Sequence, residues 1–280
     1  MPRQARLDVS GALHHIMVRG IDKSKIFRDE QDKARFLERL GQNVLDAKCA
    51  VYAWVLMDNH VHILFRSGQA GISAVMRKLL TWYAQYFNRR YSRKGHLFEN
   101  RYKSILCDED NYLLALVRYI HLNPIRANII QTIADLDKFP WTGHRAILGK
   151  TKHPWMDTKT VLTQFSRTKN KAIREYRLFM NEGKNQGHDP KYSGGGLVRS
   201  LGGWSHVLSM RRKGRKEETD ERILGSGDFV HQVIKEVENK ALRQLKLKRS
   251  GFTLQRSSNR NAGKDGSAAQ NWKVEAAGHR

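Results

Sequence analysis

Residues 51–65 read VYAWVLM, DN, HVHILF, so two apolar stretches are joined by a short polar step. The first stretch has the length and the aromatic and β-branched content of a strand. Asp58 and Asn59 are typical turn residues, and the second apolar stretch begins directly behind them at His60. The segment therefore predicts two consecutive β-strands, the second of which starts with two histidines.

The second strand carries a potential half of a metal site. Because side chains alternate along a strand, His60 and His62 point to one face and Val61 and Ile63 to the other. Two neighbouring imidazoles hold a metal ion when a third ligand reaches them. The alternative is that both are ordinary strand residues, one hydrogen-bonded and the other solvated.

The pattern outward from this segment predicts alternating strands and helices. Apolar spacing indicates the order β-α-β-β-α-β-α, an α+β arrangement of ferredoxin-like type with an antiparallel sheet. Pro124 disfavours continuation of the last helix. The predicted strands are 13–20, 51–57, the strand from His60 and 97–107, and the predicted helices are 29–47, 72–91 and 110–123.

The composition and the apolar patterning of the chain change after about Gly149. We predict a first domain at 1–148, a helical, basic extension at 149–249 and a disordered tail at 250–280. Within the extension, residues 161–182 have a polar helical pattern, and Ser226 begins a segment that predicts a capped helix to about Lys248.

The overall charge indicates a polyanionic partner. Among 280 residues, Lys and Arg number 51 and Asp and Glu 27, for a net charge of +24. Such an excess favours nucleic acid, with a membrane surface as the rival. No apolar segment approaches the ~20 residues that span a bilayer, and we expect no signal peptide. Cys49 and Cys107 lack metal-ligand spacing and predict reduced residues in a cytoplasmic protein.

Two residues of the last predicted helix offer the missing part of the site. Tyr119 and Asn123 are four apart, which places them on one helix face. An asparagine oxygen beside two histidine nitrogens suits Mg²⁺ or Mn²⁺ and leaves positions open for phosphate oxygens, although these ligand types also admit zinc. A nearby tyrosine hydroxyl can attack phosphorus and form a covalent phosphotyrosine.

The same residues also have plainer interpretations. Tyr119 can pack its ring in the core, and Asn123 can cap a helix before Pro124. His121 points to a different face and is the weaker ligand candidate. Spacing alone leaves these alternatives open.

The combined motifs resemble a known family. His60-Val61-His62 is similar to the HUH motif of histidine, apolar residue and histidine, and Tyr119-Ile120-His121-Leu122-Asn123-Pro124 is similar to its tyrosine helix. The segments 1–6, 56–59 and 95–103 add to the likeness. Over roughly residues 1–148 the chain resembles the single-tyrosine HUH transposases, and among them the REP-associated tyrosine transposases.

This resemblance implies an HUH endonuclease fold and a metal-dependent enzyme that cleaves and rejoins single-stranded DNA near hairpins. It implies Tyr119 as the nucleophile of a 5′-phosphotyrosine intermediate. It implies His60, His62 and Asn123 as ligands of Mg²⁺ or Mn²⁺. The partner would be single-stranded or hairpin DNA in the cytoplasm, at the nucleoid, and the protein either a monomer or a homodimer.

Basic residues interleaved with aromatic ones predict contacts to unpaired DNA, because cations neutralise phosphates and aromatic rings stack on bases. The candidates are Arg89, Arg90, Arg93, Lys94, Arg101, Lys103, Arg118 and Arg126. Relatives often continue into a small helical DNA-binding region. Beyond about Leu254 this chain shows no such pattern, and its tail looks truncated or frame-shifted.

Two other functions remain open on the sequence. A non-catalytic nucleic-acid-binding regulator would have the same charge and fold, but binding alone does not require Tyr119, His60, His62 and Asn123 together. A replication or mobilisation nickase would use the same chemistry, but such proteins are usually larger, and no helicase-type phosphate loop is present.

Overall fold

A computed structural model describes residues 7–69, 71–184, 220–239 and 242 of the chain. Backbone contacts divide the chain into two units, Met1–Val233 and Ile234–Arg280. In the second unit the described residues, 234–239 and 242, are helical. The predicted disordered tail at 250–280 lies outside the described residues, and the predicted boundary at 148/149 stays a prediction.

The first unit is built on one mixed sheet. Its strands are β1 (Leu13–Arg19), β2 (Ala50–Met57), β3 (His60–Arg66), β4 (Lys103–Cys107) and β5 (Ile223–Leu224). Their spatial order is β2-β3-β1-β4-β5, with the first four antiparallel and β5 parallel to β4. With its helices in between, the β2-β3-β1-β4 core is the predicted ferredoxin-like α+β fold.

Two long helices connect the strands of this core and pack against each other. They are α1 (Glu30–Asp46) and α2 (Ser73–Arg90), close to the predicted 29–47 and 72–91. The carboxylate of Asp29 accepts the Asp32 backbone N–H at 3.0 Å, so Asp29 is the N-cap that begins α1. The core-facing apolar residues of the two helices, such as Phe36, Leu40, Leu79 and Tyr83, are fully buried.

Short helical segments follow β4, at bounds that partly differ from the prediction. They are α3 (Glu109–His121), α4 (Asn123–Arg126), α5 (Ile133–Leu136), α6 (His144–Ile147), α7 (Thr158–Thr163) and α8 (Lys169–Glu182). The single helix predicted over 161–182 is thus two helices. A loop precedes Lys103 where a strand was predicted from residue 97, although Phe98 pairs with Gly20 in an isolated bridge.

The end of α3 also differs from the prediction, which placed Tyr119 and Asn123 on one helix. Leu122 is the C-cap of α3, and Asn123 starts the next short helix with Pro124 in its first turn. Proline is favoured there because its missing N–H would have no partner inside the helix. Leu122 keeps helical dihedral angles, so the chain barely changes direction and Asn123 stays one turn beyond Tyr119.

Residues beyond 148 complete the core of the first unit. Trp155, Tyr176 and Met180 are buried in the same apolar cluster as the strands. Val51 in β2 donates its N–H to the Trp155 carbonyl at 3.4 Å and accepts the Asp157 N–H at 2.9 Å. Across the described residues, no helix is long and apolar enough to cross a membrane.

Candidate active site

The predicted site residues line one cavity of about 590 Å³ beside the sheet. His60 and His62 lie on the same face of β3, with ring centroids 5.2 Å apart. Tyr119 and Asn123 line the same cavity from α3 and α4. The structure therefore brings together all four residues that the sequence suggested, within one copy of the chain.

The hydrogen bonds around His60 define which of its ring nitrogens carries a proton. Asn59 donates through Nδ2 to the Lys23 carbonyl at 3.1 Å, which turns its amide oxygen toward His60 Nδ1 at 2.7 Å. An amide oxygen only accepts, so Nδ1 carries the hydrogen and Nε2 keeps a lone pair. Burial and the nearby charge of Arg19 lower the pKa of His60 to about 4, so the ring is neutral at pH 7.

His62 has a partner that the sequence did not reveal. Nδ1 of His62 lies 2.9 Å from Nε2 of His15 in β1, with the ring centroids 5.1 Å apart and the ring planes inclined by 27°. His15 is fully buried and His62 is 8% exposed. Strand alternation predicts that His15 and Met17 lie on the same face of the sheet. Because β1 pairs with β3 so that Met17 lies opposite His62, His15 is a diagonal neighbour of His62.

Tyr119 lies over these two histidines. Its ring centroid is 6.0 Å from that of His62 and 5.8 Å from that of His15, both in edge-on geometry. Arg126 in α4 donates to the Tyr119 carbonyl at 2.9 Å, and its guanidinium carbon lies 5.1 Å from the tyrosine ring centroid. Arg126 therefore contacts both the backbone and the ring of the predicted nucleophile.

Asn123 has the capping role that was considered for it. Its Nδ2 donates to the carbonyls of Tyr119 at 2.8 Å and of Ile120 at 3.3 Å, which caps the end of α3. Because the side-chain amino group makes these bonds, the side-chain oxygen Oδ1 is the atom of Asn123 that could bind a metal ion. The capping interpretation and the ligand interpretation are thus compatible.

His121 belongs to a different environment, as its position two residues from Tyr119 predicted. It is fully buried, and its Nδ1 lies 2.9 Å from the Tyr176 hydroxyl in α8. The same hydroxyl lies 2.8 Å from His144 Nδ1, and His144 Nε2 lies 2.9 Å from Asp137. Burial lowers the pKa of both histidines, so they are neutral members of a polar network in the core.

The donor set of the cavity fits a divalent metal ion with open coordination positions. His60 offers Nε2, His62 offers the nitrogen not bonded to His15, and Asn123 offers an amide oxygen. In the part of the chain that the structure describes, no cluster of three or more His, Cys, Asp or Glu side chains could hold a metal. The set here contains only two residues of those types, with asparagine as the third donor.

The basic residues predicted to contact DNA are distributed over several environments. Arg101 and Lys103 line the site cavity, together with Arg19, which the sequence did not single out. Arg90 forms ion pairs with Asp29 and with the buried Asp32. Arg118 lies over the Phe179 ring at 4.1 Å. Arg93 lies over the Phe87 ring at 5.6 Å. Arg89 and Lys94 are exposed.

A second, larger cavity of about 1030 Å³ adjoins the first. Residues 99–101 line both cavities, and α2 forms the far wall of the second through Arg77, Leu80 and Ala84. The loop that replaced the predicted strand at 97–102 therefore separates the two cavities.

The stretch of chain that carries these residues matches a known family. The family model described as "Transposase IS200 like" matches residues 8–123, which include His15, His60, His62, Tyr119 and Asn123. Residues 8–123 are thus similar to an IS200-like transposase. The family resemblance predicted from the sequence is thereby confirmed, and the histidine pair and the tyrosine helix both lie inside the transposase match.

Solved structures similar to this chain include one described as a REP-associated tyrosine transposase bound to a REP hairpin. The likeness has 16% identity and a TM-score of 0.43, and it covers 56% of this chain and 92% of that one. Another is tRNA(His) guanylyltransferase from Saccharomyces cerevisiae, with 8% identity and a TM-score of 0.32, covering 66% of this chain and 79% of that one. No protein with a curated function matches the sequence.

Proposed function

We propose that the chain is a DNA transposase of the REP-associated type that cleaves and rejoins single-stranded DNA next to hairpins. Its intermediate is a 5′-phosphotyrosine at Tyr119, and His60, His62 and Asn123 hold Mg²⁺ or Mn²⁺. The observation that carries the proposal is the convergence of these four side chains on one cavity of an IS200-like transposase region. Its DNA substrate would place the enzyme in the cytoplasm, at the nucleoid.

The residues of the cavity divide the reaction between them. The Tyr119 hydroxyl loses its proton and attacks the scissile phosphorus, so that an Oη–P bond forms while the P–O3′ bond breaks. The 3′ oxygen leaves and takes up a proton, which gives a free 3′ hydroxyl. Because the phosphodiester energy is kept in the phosphotyrosine, rejoining to another 3′ hydroxyl needs no ATP. A divalent metal, when bound, polarises the phosphate and stabilises the charge that develops on its oxygens.

The basic residues of the cavity would position the DNA for this attack. Arg101 and Lys103 line the cavity and are exposed, and Arg19 is paired with His60 across β1 and β3. Cations so placed neutralise the phosphates that flank the scissile bond. Arg126 holds the Tyr119 backbone and ring, and so fixes the direction from which the hydroxyl approaches.

Covalent trapping tests the proposal. The full-length chain is incubated with a pool of hairpin oligonucleotides of randomised single-stranded flanks, with Mg²⁺ or Mn²⁺, and the products are separated on a denaturing gel. The oligonucleotides are labelled at one end. We expect a label at the 3′ end to migrate with the protein, and a label at the 5′ end to migrate with a shorter, protein-free strand.

Tyr119→Phe should abolish this adduct, since the hydroxyl that forms the covalent bond is gone. Tyr112→Phe is the matched control, because Tyr112 lies on the same helix but is not one of the residues that line the cavity. Tyr112→Phe should give the wild-type amount of adduct. A wild-type protein that binds the pool but gives no adduct with either metal would instead favour the non-catalytic regulator.

A further inference from the structure

We propose that His15 is a positioning residue for the metal ligand His62, holding its ring so that Nε2 is presented to the cavity. This inference rests on the proposed function, because it concerns the metal site proposed there. It adds to the site a residue outside the histidine pair and the tyrosine helix.

The geometry of the pair supports a specific hydrogen bond. The two nitrogens are 2.9 Å apart, and the ring planes are inclined by 27°. His15 is fully buried between strands that pair on both sides, so its ring has little freedom to move away. A buried hydrogen bond of this length fixes the rotation of the His62 ring about its own axis.

The direction of that hydrogen bond decides whether His62 can bind a metal. If Nδ1 of His62 donates to Nε2 of His15, then His62 Nε2 has its lone pair and can be a ligand. If the hydrogen comes from His15 instead, the proton of a neutral His62 is on Nε2 and blocks it. The proposal therefore requires His15 to accept at Nε2 and to carry its own proton on Nδ1.

A neutral imidazole in this position has a consequence for the charge of the site. Metal-binding histidines often donate to a carboxylate, which adds a negative charge next to the metal. In the proposed arrangement neither second partner is a carboxylate, since His15 accepts from His62 and the Asn59 amide accepts from His60. The site thus orients both ligands without adding negative charge, which suits a substrate whose phosphates must approach closely.

Metal titration tests His15 with a readout other than DNA cleavage. Binding of Mn²⁺ alone to the full chain is followed by the loss of the free-ion electron paramagnetic resonance signal. We expect His15→Phe to raise the dissociation constant about 10–100-fold, the range seen when such outer partners are removed. His15→Gln should restore most of the affinity, because its amide oxygen can accept the same hydrogen.

The neighbouring residue provides a matched control. His14 is also fully buried on β1, but it lies on the opposite face, 3.1 Å from the Ser104 hydroxyl. His14→Phe should therefore leave Mn²⁺ affinity unchanged. If His15→Phe binds Mn²⁺ as tightly as the wild type, the inference is wrong while the metal site stands. If the wild type and His62→Ala bind Mn²⁺ equally weakly, the proposed metal site itself fails, and His15 has nothing to position.

A measurement on the wild-type protein tests the same proposal without any variant that could fail to fold. Long-range nitrogen–proton NMR spectra of the histidine rings report which nitrogen is protonated. We expect His62 to be the Nδ1–H tautomer and His15 also the Nδ1–H tautomer. Finding His62 protonated on Nε2 in the metal-free chain would overturn the proposal.

Discussion

At the scale of single residues, hydrogen bonds inside the protein already occupy one nitrogen of each site histidine. His60 donates to Asn59, and His62 is bonded to His15, so in each case the ring has one defined orientation before any ligand arrives. Asn123 is fixed in the same way by the carbonyls at the end of α3. Preorganisation of this kind lowers the cost of binding, because fewer rotamers must be frozen.

The basic residues separate at this scale into those that face a cavity and those that stabilise the fold. For Arg101→Ala, we expect the plot of log affinity for single-stranded DNA against log salt concentration to become shallower by about 0.7, the change for one lost phosphate contact. Arg90→Ala should leave that slope unchanged and lower the midpoint of thermal unfolding, because Arg90 is bonded to Asp29 and the buried Asp32. Filter binding over a salt series and thermal melts of both variants check this. Equal changes in slope would show that Arg90 also contacts DNA.

At the scale of elements, helix α3, which carries Tyr119, is hydrogen-bonded to α8. The Tyr176 hydroxyl of α8 bridges His121 at the end of α3 and His144 of α6. His144 is in turn hydrogen-bonded to Asp137. Arg177, next to Tyr176, forms an ion pair with the same aspartate at 2.7 Å. Three parts of the chain, at residue 121, at residues 137–144 and at residues 176–177, thus meet in one network close to Tyr119.

Removal of the bridging hydroxyl should loosen this network. Tyr176→Phe leaves buried nitrogens of His121 and His144 without their partner, so we expect the free energy of unfolding to fall by about 2–4 kcal/mol. Urea denaturation at pH 7.5 measures the loss. Leu178→Ala is the control on the same helix, because Leu178 is 53% exposed and its truncation should cost far less. A loss for Tyr176→Phe no larger than that of the control would contradict the role of the network.

Local sequence patterns predicted most elements of the sheet and its two long helices, because apolar periodicity and turn residues act over short distances. The predicted start of β4 and the predicted single helix through Tyr119 and Asn123 were less accurate, since both depend on loops and caps. His15 was missed for another reason. Its strand was predicted, but only the register of β1 against β3 decides that it meets His62. The packing of α8 against α3 is likewise a long-range contact that no local pattern contains.

At the scale of the whole molecule, buried neutral histidines make stability depend on pH. Burial lowers the pKa of His14 to about 4, and it also lowers the pKa of His121, His144 and His153. The unfolded chain, with pKa values near 6.5, therefore binds more protons than the folded chain in acid. The stability that these residues contribute is complete above pH 6.5 and is lost as the pH falls toward 4.

For His14 the difference corresponds to about 3 kcal/mol over this interval. We expect urea unfolding at pH 7.5, 6.5, 5.5 and 4.5 to show a falling free energy for the wild type, and a shallower decline for His14→Gln. A His14→Gln curve parallel to the wild type would show that His14 does not lose its proton on folding.

Both outer strands of the antiparallel β2-β3-β1-β4 core are paired with backbone from elsewhere in the first unit. On the outer side of β2, Leu56 donates to Trp141 and Gly143 donates to Trp54, each at 2.9 Å. On the outer side of β4, Leu106 and Asp108 donate to Arg222 and Leu224, each at 2.8 Å. Exposed strand edges invite pairing with other chains and so lead to aggregation. At these positions of β2 and β4 a foreign strand would have to displace native hydrogen bonds first, so pairing with a second copy along these two strands is disfavoured.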